Sequence, residues 1–428
     1  MSCKRLLFLV LLALPWSACI HYPKPPETTA EAGTPTDTLT AAEAKMSAGT
    51  PAAEGAGTAR APDYLTIAAV GDNLIHKEIY QAVYRNRAYH FDPVYETIKP
   101  LIQAADIAFV NQETMLAGEE FGYSSYPRFN TPGEAGRALV NAGFDVINHA
   151  NNHVMDMGER GVAATIRYWE QYPDITVLGV FPSQERRDEK RVIEKNNIRV
   201  GFLSYTTGTN GIPVPRDKPY LVSLADREIM AGEIDALRPL CDFLVVSMHW
   251  GDEYRITENE AQREYGRFLA EHRVDLVLGH HPHVLQPWAR IPRPDGGETI
   301  CFYSLGNFMS AQERPETLLG GMAYIKLRKD VVPGTPAASI RAAVSVEEAG
   351  LMPLVTHNEP GPAGFRVYPL HDYPAELAAA HRIKKISDEI SVDYFKDLAK
   401  RAVDGSRGTD AGGRAASGLI NYNPFSPD

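Results

Sequence analysis

The stretch DLVLGHHPHVLQP (residues 275–287) joins an apolar run to a glycine and three histidines. The whole chain has 13 histidines in 428 residues, so three within four positions is a marked concentration. A short aliphatic run followed by Gly favours a buried strand that ends at the glycine. In open α/β sheets, ligands gather at the carboxyl ends of strands. The stretch therefore predicts a functional loop after a strand, with Pro282 fixing the spacing of His281 and His283.

Other strand-like runs also end in polar side chains. LTIAAVGDN, IAFVNQET, FDVINHANNH and FLVVSMHWGDE place at their ends Asp72, Glu113, Asn152, His153 and His249. Amphipathic stretches separate these runs, and strand–helix alternation predicts an α/β fold with a largely parallel sheet. After Gly296 the pattern becomes strand-rich, which predicts strands added in a second sheet.

The side chains at these strand ends have the chemistry of metal ligands. Carboxylates, amides and neutral imidazoles suit Mn²⁺, Zn²⁺ or Fe²⁺, and the set contains no thiolate. One carboxylate can bridge two cations about 3.5–4 Å apart, and such a pair can clamp a phosphate and activate a water. Each motif alone has an ordinary structural explanation, but their combination favours a metal site.

The composition narrows the class of protein. With 44% hydrophobic and 23% charged residues, the chain has the composition of a soluble globular protein. Its net charge of −11 argues against a nucleic-acid partner, which requires a positive surface. Cys241 and Cys301 lie in apolar runs, so we expect two buried thiols, with a disulfide as the alternative.

The N-terminus has the pattern of an export signal. Residues 1–19, MSCKRLLFLVLLALPWSAC, contain a basic start, an apolar run and small residues before Cys19. This resembles a bacterial lipoprotein signal in which Cys19 is lipidated; ordinary cleavage near Ala18 is the alternative. Both predict a cell-envelope protein, and lipidation would anchor it to the membrane at the periplasmic or extracellular face.

The remaining boundaries follow from composition. Residues 20–62 are rich in Pro, Thr and Ala and predict a flexible tether. Residues 63–375 contain the strand and helix pattern of the folded domain. Residues 376–428 predict a helical segment, to about residue 405, followed by a loose tail.

Six motifs carry a family resemblance: AAVGDNLI, VNQET, HANNHVMDMGERG, SMHWGDEY, GHHPHVLQP and YSLGNF, in this order. With them the chain resembles the CapA/PgsA-type family of bacterial capsule proteins, associated with poly-γ-glutamate. That family is similar to the calcineurin-like metallophosphoesterase superfamily. The resemblance implies a four-layer α/β/β/α sandwich with a dinuclear metal site.

The resemblance also implies roles for individual residues. Glu113 takes the place of the bridging carboxylate, and His153 that of the imidazole that contacts phosphate and protonates the leaving oxygen. The other implied metal ligands are Asp72, Asn152, His249, His281 and His283.

The chain departs from the superfamily pattern at the first motif. Leu74 stands where that motif has a histidine, so the site holds two cations or only one, and His76 or Asn73 is a candidate substitute. Further residues are expected around the ligands, namely Asn151, His280 and Asn307. Asp156 and Gly158 are expected to cap the following helix, Trp250, Glu253 and Tyr254 to wall the pocket, and Arg128 to contact an anion.

Two functions follow from these expectations. The first is a metal-dependent hydrolase in capsule or poly-γ-glutamate synthesis that acts on a phosphoester, such as a phosphorylated envelope precursor. The alternative is a non-catalytic surface accessory that binds or exports an anionic polymer. Capsule-synthesis membrane proteins are expected partners in either case.

Overall fold

The computed structural model describes residues 61–330, 344–360, 364–404 and 424. The predicted signal segment with Cys19, the predicted tether up to residue 60 and nearly all of the predicted tail lie outside the described residues. Within the described part of the chain, no helix has the length and apolar character needed to cross a bilayer.

The strands are, in chain order, β1 (Asp63–Asn73), β2 (Tyr84–Arg85), β3 (Ala88–Tyr89), β4 (Ile107–Gln112), β5 (Val146–Asn148), β6 (Thr176–Leu178), β7 (Val192–Lys195), β8 (Ile198–Thr206), β9 (Phe243–His249), β10 (Leu276–His280), β11 (Trp288–Pro292), β12 (Glu298–Phe302), β13 (Asn307–Met309), β14 (Leu319–Lys329), β15 (Val344–Asn358) and β16 (Phe365–Pro369). The α-helices are α1 (Lys77–Ala82), α2 (Asp92–Tyr95), α3 (Lys99–Ala104), α4 (Glu134–Ala142), α5 (Gly158–Trp169), α6 (Gln184–Asp188), α7 (Arg227–Leu237), α8 (Glu260–Glu271), α9 (Ala375–Ala380) and α10 (Val392–Asp404).

These strands form two large sheets within the described residues. The first has the order β16-β15-β14-β1-β4-β5-β6, and β13 pairs with the end of β1. In this sheet β1, β4, β5 and β6 run parallel, whereas β14, β15 and β16 are antiparallel additions. The second sheet has the order β11-β12-β10-β9-β8-β7, with a parallel centre of β8, β9, β10 and β12.

Alternation along the strands builds the layers. In β9, Phe243 and Val245 pack in a core shared with the first sheet, whereas Leu244 and Val246 pack with α7 and α8. In β1, Ile67 faces the shared core, and its neighbours Ala68 and Val70 pack with helices α1 to α4. Because successive strand residues point to opposite faces, each sheet is covered by the other sheet inside and by helices outside. The four-layer α/β/β/α sandwich is confirmed.

The late strands differ from the sequence expectation. Only β11 and β12 join the second sheet, while β14 pairs antiparallel with β1 along nearly its whole length, from Asp63↔Lys329 to Val70↔Met322. The expectation that the strand-rich region would build a second sheet was therefore wrong for β14, β15 and β16. Local pattern gives strand character, but partner choice depends on which sheet edge is free.

The helical region near the C-terminus is divided in two. Helix α9 ends at Ala380, and α10 begins at Val392, after Ser391 accepts a hydrogen bond from Tyr394 N–H through Oγ at 3.1 Å. Phe395 and Ala399 of α10 pack into the core between the sheets. The segment thus adds apolar cover to the sandwich. The thiols of Cys241 and Cys301 are free and buried, as predicted from their apolar surroundings.

A close backbone crossing at Gly71 shapes the edge where the functional residues lie. A Cβ at Gly71 would stand 1.9 Å from the carbonyl oxygen of Gly306, and the neighbouring Asp72 N–H donates to that same oxygen at 2.9 Å. We expect Gly71→Ala to lower the free energy of unfolding by about 3 kcal/mol, because the crossing strands must separate. Equilibrium urea unfolding would measure the loss.

The matched control is Gly232→Ala in α7. Gly232 is exposed, and no atom lies within 4 Å of the position that an added methyl group would occupy, so this change should stabilise the helix by up to about 1 kcal/mol. Equal urea midpoints for Gly71→Ala and the unchanged protein would contradict the close crossing.

Candidate metal centre

Both sheets deliver polar side chains to one edge of the sandwich. Asp72 lies near the end of β1, and Glu113 directly follows β4. His249 ends β9, and His281 and His283 follow β10. Because the parallel strands of the two sheets end at this common edge, residues far apart in the sequence come into contact.

Glu113 is shared by two groups of donor atoms. In the first group, ligand atoms of Asp72, Glu113 and His283 all lie within 4.8 Å of one another. In the second group, ligand atoms of Glu113, His249 and His281 satisfy the same limit. A carboxylate common to two donor groups is the arrangement needed for a bridging ligand between two cations.

An amide oxygen adds a donor to the second group. Asn152 Oδ1 lies 3.0 Å from His249 Nε2, and this same nitrogen lies 3.7 Å from Glu113 Oε1. The side-chain oxygens of Asn152 and Glu113 therefore both lie near His249 Nε2. His281 joins them from the loop after β10.

The histidine loop adopts a costly backbone conformation. His281 has φ 98° and His283 has φ 58°, in the left-handed region that non-glycine residues seldom adopt. Each such residue costs on the order of 1–3 kcal/mol and persists only when its surroundings hold it. One holding contact is the hydrogen bond from His281 N–H to Asp72 Oδ2, at 3.2 Å. The loop is thus bent toward the carboxylate of the first strand.

The pKa values of the ionisable groups in the first donor group are shifted in opposite directions. Burial raises the pKa of Glu113 well above its usual range, and the neighbouring charge of Asp72 raises it further. Burial also acts to raise the pKa of Asp72, but contacts with His280 and His283 hold it well below its usual range. Burial acts to lower the pKa of His283. This pKa nevertheless rises to about 9, because Glu113 and Asp72 favour the charged imidazole.

The second group contains two imidazoles that favour the neutral form. Burial lowers the pKa of His249 well below its usual value, and burial lowers that of His281 to about 4. Neutral imidazole is the form that binds metal. The imidazoles of the second group therefore need not lose a proton before they bind metal, whereas His283 of the first group must lose one.

Several buried atoms of these metal-binding side chains have no hydrogen-bond partner within the described structure. They are both carboxylate oxygens of Glu113, Nδ1 of His249 and Nδ1 of His281. Buried polar atoms in proteins are normally paired, so unpaired ones call for an explanation such as an ion. The unpaired oxygens of Glu113 lie where two donor groups meet, and the chemistry of these residues fits divalent metal ions.

His153 is held by a carboxylate rather than by a metal-type cluster. Its Nδ1 lies 2.8 Å from Asp156 Oδ2, which also accepts the backbone N–H of Phe129 at 2.7 Å. The expectation that Asp156 caps the next helix was wrong: α5 begins at Gly158 without any side-chain cap. The buried carboxylate instead orients the imidazole through Nδ1. Nε2 is then the ring nitrogen that can exchange a proton with a substrate.

A cleft of about 250 Å³ opens beside this pair. Its lining includes Tyr126, Arg128, His153, Asp156, Asn210 and Glu253. Arg128, Glu253 and His153 thus line one cavity, which brings a guanidinium, a carboxylate and an imidazole to its walls.

The other predicted residues surround the donor groups in different ways. His280 Nδ1 lies 3.4 Å from Asp72 Oδ1, and Asn307 Oδ1 lies 3.1 Å from His283 Nδ1. Asn151 bonds to the backbone of Gln112 and His153 and so shapes the loop. These contacts place all three residues just outside the donor atoms.

Neither candidate for the missing first-motif histidine joins a donor group. His76 Nδ1 contacts the backbone at Leu74 O and Ala311 N, and His76 belongs to none of the donor groups found among the described residues. The side chain of Asn73 is hydrogen-bonded through both of its polar atoms. Nδ2 donates to Gln112 Oε1 at 2.7 Å, and Oδ1 accepts from the Tyr95 hydroxyl at 2.8 Å.

The expectation for Trp250 was wrong, the expectation for Glu253 is confirmed, and Asn210 was not predicted. Trp250 was expected at the pocket wall, but it is buried among the helices of the second sheet, where Nε1 donates to Tyr303 O at 2.9 Å. Glu253 does line the cleft, yet it also groups with His281 and His283 as a donor. Asn210, which accepts from Asn152 Nδ2 at 3.3 Å, was not predicted, although it follows the end of β8 and the strand-end rule applies to it.

Comparison with known proteins gives relatives of this chain. The family model of the bacterial capsule synthesis protein PGA_cap matches residues 66–312, more than half of the 428 residues. The PGA biosynthesis protein CapA of Bacillus subtilis (strain 168) is 29% identical over 274 residues, covering 63% of this chain and 69% of that protein. The capsule biosynthesis protein CapA of Bacillus anthracis is 28% identical over 291 residues, covering 64% and 68%.

Solved structures are more distant. The NAD nucleotidase NadN of Haemophilus influenzae superposes with a TM-score of 0.42 and 12% identity, covering 79% of this chain and 66% of that one. Similarity at that level does not inform the chemistry of the site. The sequence match is the informative one, because residues 66–312 contain every predicted metal ligand from Asp72 to His283. The chain belongs to the PGA_cap family of bacterial capsule synthesis proteins.

Proposed function

We propose that this protein is a metal-dependent phosphoester hydrolase that acts in the synthesis of a capsule polymer. The observation that carries the proposal is the position of Glu113, a buried carboxylate with unpaired oxygens shared by two donor groups. Two donor groups that share one carboxylate would hold two cations side by side, and paired cations can clamp a tetrahedral phosphate. When bound, the cations would supply an activated water and stabilise developing negative charge.

The protein's own groups divide the remaining work. The carboxylate of Asp156 fixes the tautomer and direction of His153, so that the imidazole faces the cleft. From there the doubly protonated imidazole of His153 would donate its Nε2 proton to the leaving oxygen as general acid, while Asp156 holds the proton on Nδ1. Arg128, on the cleft wall, would contact the negative charge of the substrate outside the reacting phosphate.

The biological setting of the proposal comes from relatives and from the N-terminal sequence. The proteins named for PGA and capsule biosynthesis support a substrate on the route to an anionic surface polymer. A signal segment ending at Cys19 would place the domain at the cell envelope. The substrate would then be a phosphorylated envelope precursor.

A second candidate function is a non-catalytic accessory that binds an anionic polymer through its cations. It is favoured by Leu74, which leaves the Asp72 group with fewer donors than the His249 group. A Mycobacterium tuberculosis relative, 25% identical over 201 residues, is named a probable polyglutamine synthesis accessory protein.

Turnover of aryl phosphate monoesters and diesters by the full chain, with Mn²⁺ or Zn²⁺ added, would separate the two functions. A hydrolase should turn over at least one ester, and His153→Ala should reduce kcat by about 10²–10⁴-fold while keeping its metal. His371→Ala, at an exposed histidine, is the matched control. No turnover by a metal-loaded protein that still retains poly-γ-glutamate would favour the accessory.

A further inference from the structure

Glu253 is a donor that the superfamily pattern does not contain. It follows His249 by four positions, on the loop after β9. A carboxylate oxygen of Glu253 lies within 4.8 Å of ligand atoms of both His281 and His283. The residue is exposed and lines the cleft, so its carboxylate approaches the donor groups from the side on which a substrate would enter.

Two backbone hydrogen bonds hold this loop against the histidine loop. Trp250 N–H donates to His280 O at 3.1 Å, and Tyr254 N–H donates to Pro282 O at 2.8 Å. Glu253 lies between these two anchors, and Tyr254 has φ 64°, a further left-handed residue. The position of the carboxylate is therefore set by the same loop that carries the histidines.

The donor groups differ in their number of protein ligands. Around His249 the donors are Glu113, Asn152, His249 and His281. Around Asp72, the described residues provide Glu113, Asp72 and His283, while Leu74 stands where the superfamily pattern has a histidine. Glu253 shares His283 with the Asp72 position and His281 with the His249 position. Of these two positions, the one at Asp72 is one protein donor short.

We propose that Glu253 is the fourth protein ligand of the cation at Asp72, Glu113 and His283, taking the place of the histidine missing from the first motif. This inference rests on the metal site of the proposed function, but it does not require hydrolysis. It makes the site richer in carboxylates, with Asp72, Glu113 and Glu253, and carboxylate ligands favour Mn²⁺. Glu253 is also the ligand nearest to the cleft, so it would stand beside an incoming anion.

The test is the metal content of the full chain after loading with Mn²⁺ and removal of free ion. The unchanged protein should hold about two equivalents, with the exchange-coupled electron paramagnetic resonance signal of a Mn²⁺ pair. Glu253→Gln should hold about one equivalent and lose the coupled signal. Glu253→Asp, which keeps the charge on a shorter arm, should retain part of the second equivalent. Asp252→Asn, at the neighbouring exposed carboxylate, should resemble the unchanged protein.

The outcomes separate this inference from the proposed function. Two equivalents and a coupled signal in Glu253→Gln would overturn the role of Glu253 and leave the hydrolase intact. One equivalent in the unchanged protein would also overturn it, and no metal in any variant would overturn both proposals. Loss of one equivalent in Glu253→Gln without phosphatase activity in the unchanged protein would support Glu253 as a ligand and count only against hydrolysis. Equal melting temperatures after chelation would show that the variants are folded.

Discussion

Replacing Glu113 with glutamine is expected to remove metal from both positions and to make the chelated protein more stable. Glu113 is the donor common to both groups, and an amide cannot bridge two cations with two anionic oxygens. Metal content should fall from about two equivalents to well below one. Elemental analysis after Mn²⁺ loading measures this directly.

The gain in stability follows from the burial of the carboxylate. Both oxygens of Glu113 are buried without a hydrogen-bond partner, and burying a charge without compensation is costly. A neutral amide of the same shape avoids that cost, so the melting temperature of the chelated variant should rise by about 2–4 °C. The unchanged protein should be stabilised by added Mn²⁺, whereas the variant should not respond.

The dependence on pH has a definite sign. The pKa of Glu113 is raised in the folded protein, so its ionised form lowers stability once the pH rises above the unfolded pKa. The chelated unchanged protein should therefore lose stability relative to Glu113→Gln as pH increases from about 4.5. Metal affinity of the unchanged protein should rise over the same range, because the cation competes with a proton.

Glu271→Gln, at the exposed end of α8, serves as the matched control and should change neither metal content nor melting temperature. Two retained equivalents in Glu113→Gln would show that Glu113 is not the shared ligand. A large fall in the melting temperature of the chelated variant would show that the Glu113 carboxylate stabilises the unchanged protein, although it has no hydrogen-bond partner there.

The sequence was sufficient to predict the strands and the polar strand ends that lie together in the structure. Alternation within β9 and β10 and their polar ends follow from strand geometry, which is local. His249 and His281 come from neighbouring parallel strands that pair as His249↔His280, so the strand-end rule brings them together without knowledge of the fold. The family resemblance supplied the four-layer arrangement.

Tertiary contacts decided what the sequence could not. Asp156 has the position of a helix cap, yet its carboxylate turns to His153 and to the backbone of Phe129, which lies 27 positions earlier. Glu253 is four residues past its strand, and only the hydrogen bonds to His280 and Pro282 bring it to the histidines. Such placements depend on how two loops pack, and no local pattern encodes them.

Replacing Asp156 with asparagine is expected to lower kcat by about 10- to 100-fold, less than the loss in His153→Ala, with metal content unchanged. Asp156 is a positioning residue: it contacts His153 Nδ1 at 2.8 Å, while the donor groups do not include it. An amide at this position carries no negative charge, and where it presents its N–H to Nδ1 it disfavours the doubly protonated imidazole that gives up the Nε2 proton. KM should change much less than kcat, because the cations held by the donor groups would still bind the phosphate and Arg128 would still contact the rest of the substrate.

The leaving group provides the diagnostic measurement. A general acid matters most when the departing oxygen is strongly basic, so both variants should lose more activity on alkyl phosphates than on a nitrophenyl phosphate. A purely structural defect would lower kcat by the same factor on every ester. Asp397→Asn, at an exposed carboxylate of α10, is the matched control and should leave all rates unchanged. Equal losses on good and poor leaving groups would remove His153 as the proton donor, and full activity in Asp156→Asn would show that the imidazole needs no carboxylate to orient it.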